Sequence, residues 1–344
     1  MAGPDPAVAA VRGAVRPGLT GDRTPVLVAC SGGADSLALA AAVAFEAPRA
    51  GVPAGAVTVD HGLQPGSAAR AAATADLLRD LGLAPVQVRR ADVGRDGGPE
   101  GAARAARYTC LADAARVTGA RVALAHTLDD QAETVLLGFG RGSGPRSVAG
   151  MAQARTGADG TRWWRPLLGV RRTTTRAACA AAGLPVWDDP WDADPAYTRA
   201  RLRAEVLPLL EDVLGGGVAG ALARTAGMLR EDLEALDDLA ARELARHTGD
   251  GGGLPAAELA DRPAAVRRRV LRGWLLAAGV PDLQAVHLAA VDALLTRWHG
   301  QGPVDLPGRV AVARVSGRLV LRPAGDPAPA LPTRPSPERG APLP

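Results

Sequence analysis

Residues 25–36 read Pro-Val-Leu-Val-Ala-Cys-Ser-Gly-Gly-Ala-Asp-Ser, and no other stretch constrains the fold as strongly. The apolar run Pro25–Cys30 has the composition of a strand buried on both faces of a sheet. An Ala-rich helical run, Ala34 to Phe45, comes next. Two glycines between them let the chain turn tightly and bring its backbone close to an anion. The first amides of the helix then face that anion, with the helix dipole behind them. Ser31, Gly32, Gly33, Ala34 and Ser36 are therefore candidate phosphate-binding residues. Asp35 repels phosphate, so its place suits Mg²⁺ or a cationic substrate group. A Gly-rich turn with a capping Ser would look alike in outline. A match to Ser-Gly-Gly-x-Asp-Ser, however, arises by chance on the order of once per million positions. The loop is neither a Walker loop nor a dinucleotide fingerprint.

The strand–turn–helix rhythm repeats. Ala56–Val59, Val86–Val88 and Val122–Ala125 read as further strands, with helices near 67–81, 100–117 and 128–137. This alternation predicts an α/β fold with right-handed crossovers and a doubly wound, Rossmann-like parallel sheet. We place that domain at residues 1–213. Gly215-Gly-Gly217 reads as a linker. Helical runs near 219–246, 264–278 and 283–298 predict a smaller helical domain over 214–300. Residues 301–322 read as a short β-hairpin region and 323–344 as a disordered Pro-rich tail.

Composition narrows the classes. Hydrophobic residues at 47% and charged residues at 22% exclude a disordered chain. No apolar run is long enough to span a membrane, and Met1–Ala10 lacks the pattern of a signal peptide, so a cytoplasmic location is expected. Cys30, Cys110 and Cys179 are far apart, which argues against a disulfide framework and a thiolate metal site. All 40 basic residues are Arg, the net charge is +4 and the pI about 9.5. Genomic bias explains the missing Lys; guanidinium forks also suit phosphate and RNA. Aromatic residues at 3% argue against a stacking platform for single strands.

Other candidates fall at predicted strand ends, where ligands bind in such sheets. Asp60 and His61 end the second strand, as a site or as a simple Asx turn. Glu100, Arg104, Arg107 and Tyr108 share a helix face. The two arginines could bind phosphate or stabilise developing charge, or belong to a solvated face. His126 precedes Asp130 and Glu133, which lie one turn apart and could grip an ammonium group or Mg²⁺, or simply favour a helix start. In the last third, Arg262, Arg267, Arg268, Arg269 and Arg272 read either as a solvated face or as a surface tracking an RNA backbone.

These segments in order resemble the tRNA(Ile)-lysidine synthetase family of PP-loop N-type ATP pyrophosphatases. Ser31–Ser36, Asp60-His-Gly-Leu63, Glu100…Arg104…Arg107-Tyr108, His126…Asp129-Asp-Gln…Glu133-Thr134 and Arg141-Gly-Ser-Gly144 carry the likeness, together with Arg165-Pro-Leu-Leu168 and Asp189-Pro190…Tyr197-Thr-Arg199…Arg203. The match spans roughly 25–210. Thr127, Trp191-Asp192 and Ala200 depart from the family's usual residues.

The resemblance implies an ATP-dependent ligase that adenylates C2 of the wobble cytidine of CAU-anticodon tRNA(Ile), which the ε-amine of L-lysine then attacks. It implies that Ser31–Ser36, with His61 and His126, bind ATP. It implies that Asp35 holds Mg²⁺, that Arg104 or Arg107 neutralises charge, and that Asp130 and Glu133 hold the lysine. A homodimer is carried as an option. The alternatives are a tRNA thiolase of the same superfamily, disfavoured by the scattered cysteines, and a non-enzymatic nucleotide- or RNA-binding α/β protein, which would need no Asp35.

Overall fold

The computed structural model describes residues 3–62, 64–92, 98–142, 144–247 and 253–325, the side chains of 98–100 excepted. Leu63, Ser143, the Glu100 side chain and most of the Pro-rich tail, from 326 on, lie outside the described residues. The chain divides into two compact units, Met1–Arg230 and Glu231–Pro344.

In the first unit, α1 (Pro6–Leu19) leads into β1 (Val26–Ala29), α2 (Ala34–Arg49), β2 (Ala54–Asp60), α3 (Ser67–Asp80), β3 (Val86–Arg90), α4 (Gly98–Thr118), β4 (Arg121–Ala123) and α5 (Leu128–Arg141). After α6 (Pro145–Val148) come β5 (Ala154–Thr156), β6 (Arg162–Trp164) and α7 (Arg172–Ala181). The six strands run in the order β3-β2-β1-β4-β6-β5. All neighbours are parallel except β5, which pairs antiparallel with β6. The doubly wound sheet is therefore as expected, with an antiparallel edge hairpin added. Val26, Val28, Leu37, Leu39 and Val43 pack β1 and α2 into one core, each nearly inaccessible. A second core under the other face joins Leu27 and Val57 to Leu111 and Val122. Chain order reverses between β1 and β4, so the crevice outside their carboxyl ends is where a ligand belongs.

The segment after α7 contains a single 3₁₀ turn at Pro190–Ala193, then α8 (Thr198–Arg201), a π turn at Leu202–Val206 and α9 (Leu207–Val213). Gly215, Gly216 and Gly217 all take positive φ and lead into α10 (Val218–His247).

The second unit combines the end of α10 with β7 (Leu254–Pro255), α11 (Ala256–Ala260), α12 (Ala264–Ala277), α13 (Ala285–Thr296), β8 (Val304–Leu306), β9 (Val310–Val315) and β10 (Arg318–Pro323). The strands form an antiparallel sheet in the order β7-β10-β9-β8. Its residues Leu254, Val312 and Leu319 share one core with Leu271, Leu275, Val291 and Leu294 of the helices. The helical and β segments after residue 231 thus fold as one body. No single helix among the described residues is long and apolar enough to cross a membrane.

Candidate active site

The loop after β1 does what its residues demand. Gly32 has φ +89°, and a Cβ there would meet Thr74 Oγ1 at 2.9 Å, so glycine is required twice over. Gly33 is the N-cap of α2 and no side chain caps that helix, which leaves its first amides for an anion. Ser36 Oγ donates to the Gly33 carbonyl at 2.9 Å and accepts from the Ser31 amide at 3.2 Å, closing the loop on itself.

Around this loop lies a cavity of about 590 Å³, lined among others by Ser31, Gly33, Asp35, His61, His126 and Arg107. The structure brings the expected site residues together here. Arg104, Asp130 and Glu133 also line it, as does Ser36. Asp60 lines the adjoining smaller cavity instead, and its Oδ1 also accepts from the Gly62 amide at 2.9 Å in an Asx turn. His61 and His126 each bury a ring Nδ1 without a hydrogen-bond partner. A buried polar atom in a cavity wall calls for a hydrogen-bond partner, which water or a ligand can supply. Burial pushes His126 down to about 3, so it is neutral near pH 7. Burial and the nearby Arg107 push His61 down as well. Arg107 is itself lowered, by burial and then by Arg104.

One arginine at the centre was not foreseen. Arg172, the first residue of α7, donates Nη2 to Asp130 at 2.7 Å, Nε to Asp35 at 3.2 Å and Nη1 to Glu133 at 3.4 Å. Its backbone amide donates to Asp129 Oδ2 at 2.7 Å, so Asp129 anchors the helix start that carries it. Burial opposes the charge, but Asp130, Asp35 and Glu133 outweigh it and raise the Arg172 pKa. Asp35 also accepts from Thr175 Oγ1; burial still leaves its pKa raised. Asp130 is lowered: burial is outweighed by Arg172 and by the Thr127 amide and hydroxyl, which it caps. Glu133 is fully buried and also meets Arg203 Nε at 2.9 Å and Arg199 Nη1 at 3.6 Å. A basic residue at a helix N-terminus works against the dipole. That anomaly at Arg171-Arg172 is the signal that could have found this residue.

Among the described residues no three His, Cys, Asp or Glu side chains gather as a metal cage. Mg²⁺ does not need one. It takes one or two carboxylates and completes its shell with substrate phosphates and water. Asp35, at the edge of an anion-binding loop, fits that mode of binding.

A smaller cavity of about 400 Å³ adjoins the first and shares with it Ser31, Gly33, His61, Arg104, Arg107 and Arg203, among others. The segment that walls it is tied down: the Trp187 amide donates to the Gly32 carbonyl at 3.0 Å, and Gln64 Nε2 donates to Asp189 at 2.9 Å. Burial raises the Cys30 thiol, and raises Cys179 to about 11. Neither suits a sulfur-transfer nucleophile.

A phosphate loop at the switch point, faced by arginines and opening onto two joined cavities, defines a PP-loop enzyme that uses ATP. A PP-loop domain model matches residues 13–210, and a TilS substrate binding domain model matches 254–320. A tRNA(Ile)-lysidine synthase of Streptomyces coelicolor is 55% identical, covering 93% of this chain and 99% of its own. That of Leifsonia xyli is 58% identical over 87% and 90%, and that of Thermobifida fusca 53% over 93% and 99%. The chain belongs to the tRNA(Ile)-lysidine synthase family. Among solved structures, a U34-tRNA thiolase from Methanococcus maripaludis shares the fold, with a TM-score of 0.54 and 17% identity over 65% of this chain and 80% of its own.

Proposed function

We propose that the two joined cavities hold the two halves of a lysidine-forming reaction. The chain is an ATP-dependent carbon–nitrogen ligase acting on tRNA(Ile). In the first step the C2 oxygen of the wobble cytidine attacks the α-phosphorus of ATP, a P–O bond to pyrophosphate breaks, and the cytidine carries an adenylate. In the second, the ε-amine of L-lysine, having lost its proton to solvent, attacks C2, the C2–O bond breaks and AMP leaves.

Each residue's part reflects its surroundings. The α2 amides, with Ser31 and Ser36, hold the phosphates. Arg104 and Arg107 offset charge on the departing pyrophosphate, and Arg107, partly desolvated, acts there more strongly than it would in water. Neutral His126 and His61 offer unpaired ring nitrogens for hydrogen bonds to substrate without adding charge. Asp35 would hold Mg²⁺, which when bound offsets phosphate charge. The lysine ammonium lies against Asp130, whose contact with Arg172 is the one it competes for. Glu133 is too deeply paired to meet lysine and instead keeps Arg172, Arg199 and Arg203 in place. The second unit holds the body of the tRNA, and the reaction takes place in the cytoplasm.

The observation that carries this reading is the phosphate loop shared by two adjoining cavities, as a reaction joining ATP to a second large substrate requires. The test is incubation of the full chain with ATP, labelled L-lysine and CAU-anticodon tRNA. Label retained on the RNA, dependent on ATP, is the expected result. ATP consumption without label on RNA overturns the reading.

A further inference from the structure

The smaller cavity has a wall that its composition did not foretell. The chain has six Trp, two Tyr and two Phe among 344 residues. Three of these ten, Trp187, Trp191 and Tyr197, line this space, Trp187 at its border with the larger cavity. They are not core filling. Trp191 remains 40% exposed. Its ring leans on that of Tyr197, with centroids 6.2 Å apart and planes at 38°, so protein backs the indole while it still lines the cavity. Trp187 is capped by the Arg70 guanidinium, 3.7 Å from its ring centre. Arg104 and Arg107 line the same space, and Ser31 and Gly33 connect it to the phosphate loop.

Backed indoles beside guanidinium groups match one unpaired nucleotide. A base offers a π face of any sequence to an aromatic ring, and its phosphates take the arginines. A volume near 400 Å³ is the scale of a single nucleotide rather than of a duplex.

We infer that Trp191, backed by Tyr197, is the stacking face that holds the nucleotide to be adenylated, and that it sets how strongly the target base is gripped. The inference rests on the proposed reaction for the identity of that nucleotide. Low aromatic content argued against such a platform; concentration of the few rings in one cavity supplies it.

The test uses the full chain and two CAU-anticodon tRNAs, one intact and one abasic at the wobble position. Trp191→Ala should weaken binding of the intact tRNA about tenfold and raise its KM, leaving KM for ATP and lysine unchanged. Trp191→Phe should keep most of the affinity. The wild type should discriminate against the abasic tRNA by the same factor, and Trp191→Ala should bind both RNAs alike. Equal loss of affinity for both RNAs in Trp191→Ala, or no loss for either, overturns the inference. Wild-type protein that discriminates between the RNAs yet forms no lysidine would overturn the proposed reaction and leave the stacking face standing.

Discussion

In the first unit, Arg172 draws together carboxylates from α2 and α5, and Arg199 and Arg203 join from the segment beyond α7. In the second unit, Arg267 is nearly as buried as the apolar residues beside it and meets one carboxylate, Asp292, at 2.5 Å. Its remaining donors reach the carbonyls of Arg262 and Ala260, and Arg268 shares Asp292 at 3.2 Å. The side-chain types are the same. The first network converges from separate segments and lines a cavity. The second links two neighbouring helices and faces a core. Buried Arg–carboxylate pairing is thus no mark of function; convergence beside open space is. The arginine-rich helix loses part of its RNA-tracking reading on this ground. Arg267 seals α12 to α13, Arg262 pairs with Glu243 and Arg269 with Asp237, while Arg268 and Arg272 stay exposed.

The largest effect should come from Asp35→Ala. It removes a partner of Arg172 and the one carboxylate in the phosphate loop, and pyrophosphate release should fall about 10²–10³-fold with the fold intact by circular dichroism. A normal rate would take Asp35 out of the site. Next, Arg267→Ala should leave buried Asp292 to the exposed Arg268 and deprive the Arg262 and Ala260 carbonyls of a donor, destabilising the second unit by about 3 kcal/mol. Arg172→Ala should cost less stability, because its carboxylates border a cavity that admits water, yet abolish lysidine formation. Calorimetry and turnover on both variants would break the comparison if the two losses came out reversed.

Acid should separate the networks more gently. Burial sets the His126 pKa below its unfolded value near 6.5, so the unfolded chain binds the extra proton. Stability is full above about 6.5 and falls as pH drops toward about 3. The loss is at most about 1.4 kcal/mol per pH unit. Asp292 is lowered, burial being outweighed by Arg267 and Arg268. Its contribution is present above the usual carboxylate value near 3.9 and is lost only below that. Melting at pH 7.5 and 5.5 should show a drop that His126→Asn flattens; an unchanged drop would locate the acid sensitivity elsewhere. The smallest effect concerns the exposed arginines. Replacing the exposed Arg272 should reduce the log–log salt slope of tRNA binding by about 0.7–0.9, and no change would leave it as a solvated charge.

The sheet was legible because its strands are continuous apolar runs and its phosphate loop has a rare residue order. The edge hairpin was not, since β5 is fully exposed and each strand has three residues, too few to show a period. Asp35 stands out as a carboxylate inside an anion-binding loop, and Asp130 and Glu133 as carboxylates one turn apart beyond a strand end. Their partner Arg172 was missed because pairing across 137 residues leaves no local pattern. The π turn at Leu202–Val206 was also invisible. One extra residue in a helical turn rotates the rest of the helix by about 100°, and nothing in Leu-Arg-Ala-Glu-Val signals it. The division into helical and β regions after 214 tracked secondary structure, whereas the fold is organised by a shared core.

The Trp187 amide hangs from the carbonyl of Gly32, the residue whose left-handed backbone shapes the phosphate loop. That one bond works as a leash between the two chambers. Moving the Gly32 carbonyl would either break this bond or carry with it Trp187, four residues before Trp191. The loop that borders the larger cavity and the segment that walls the smaller one meet at this peptide group.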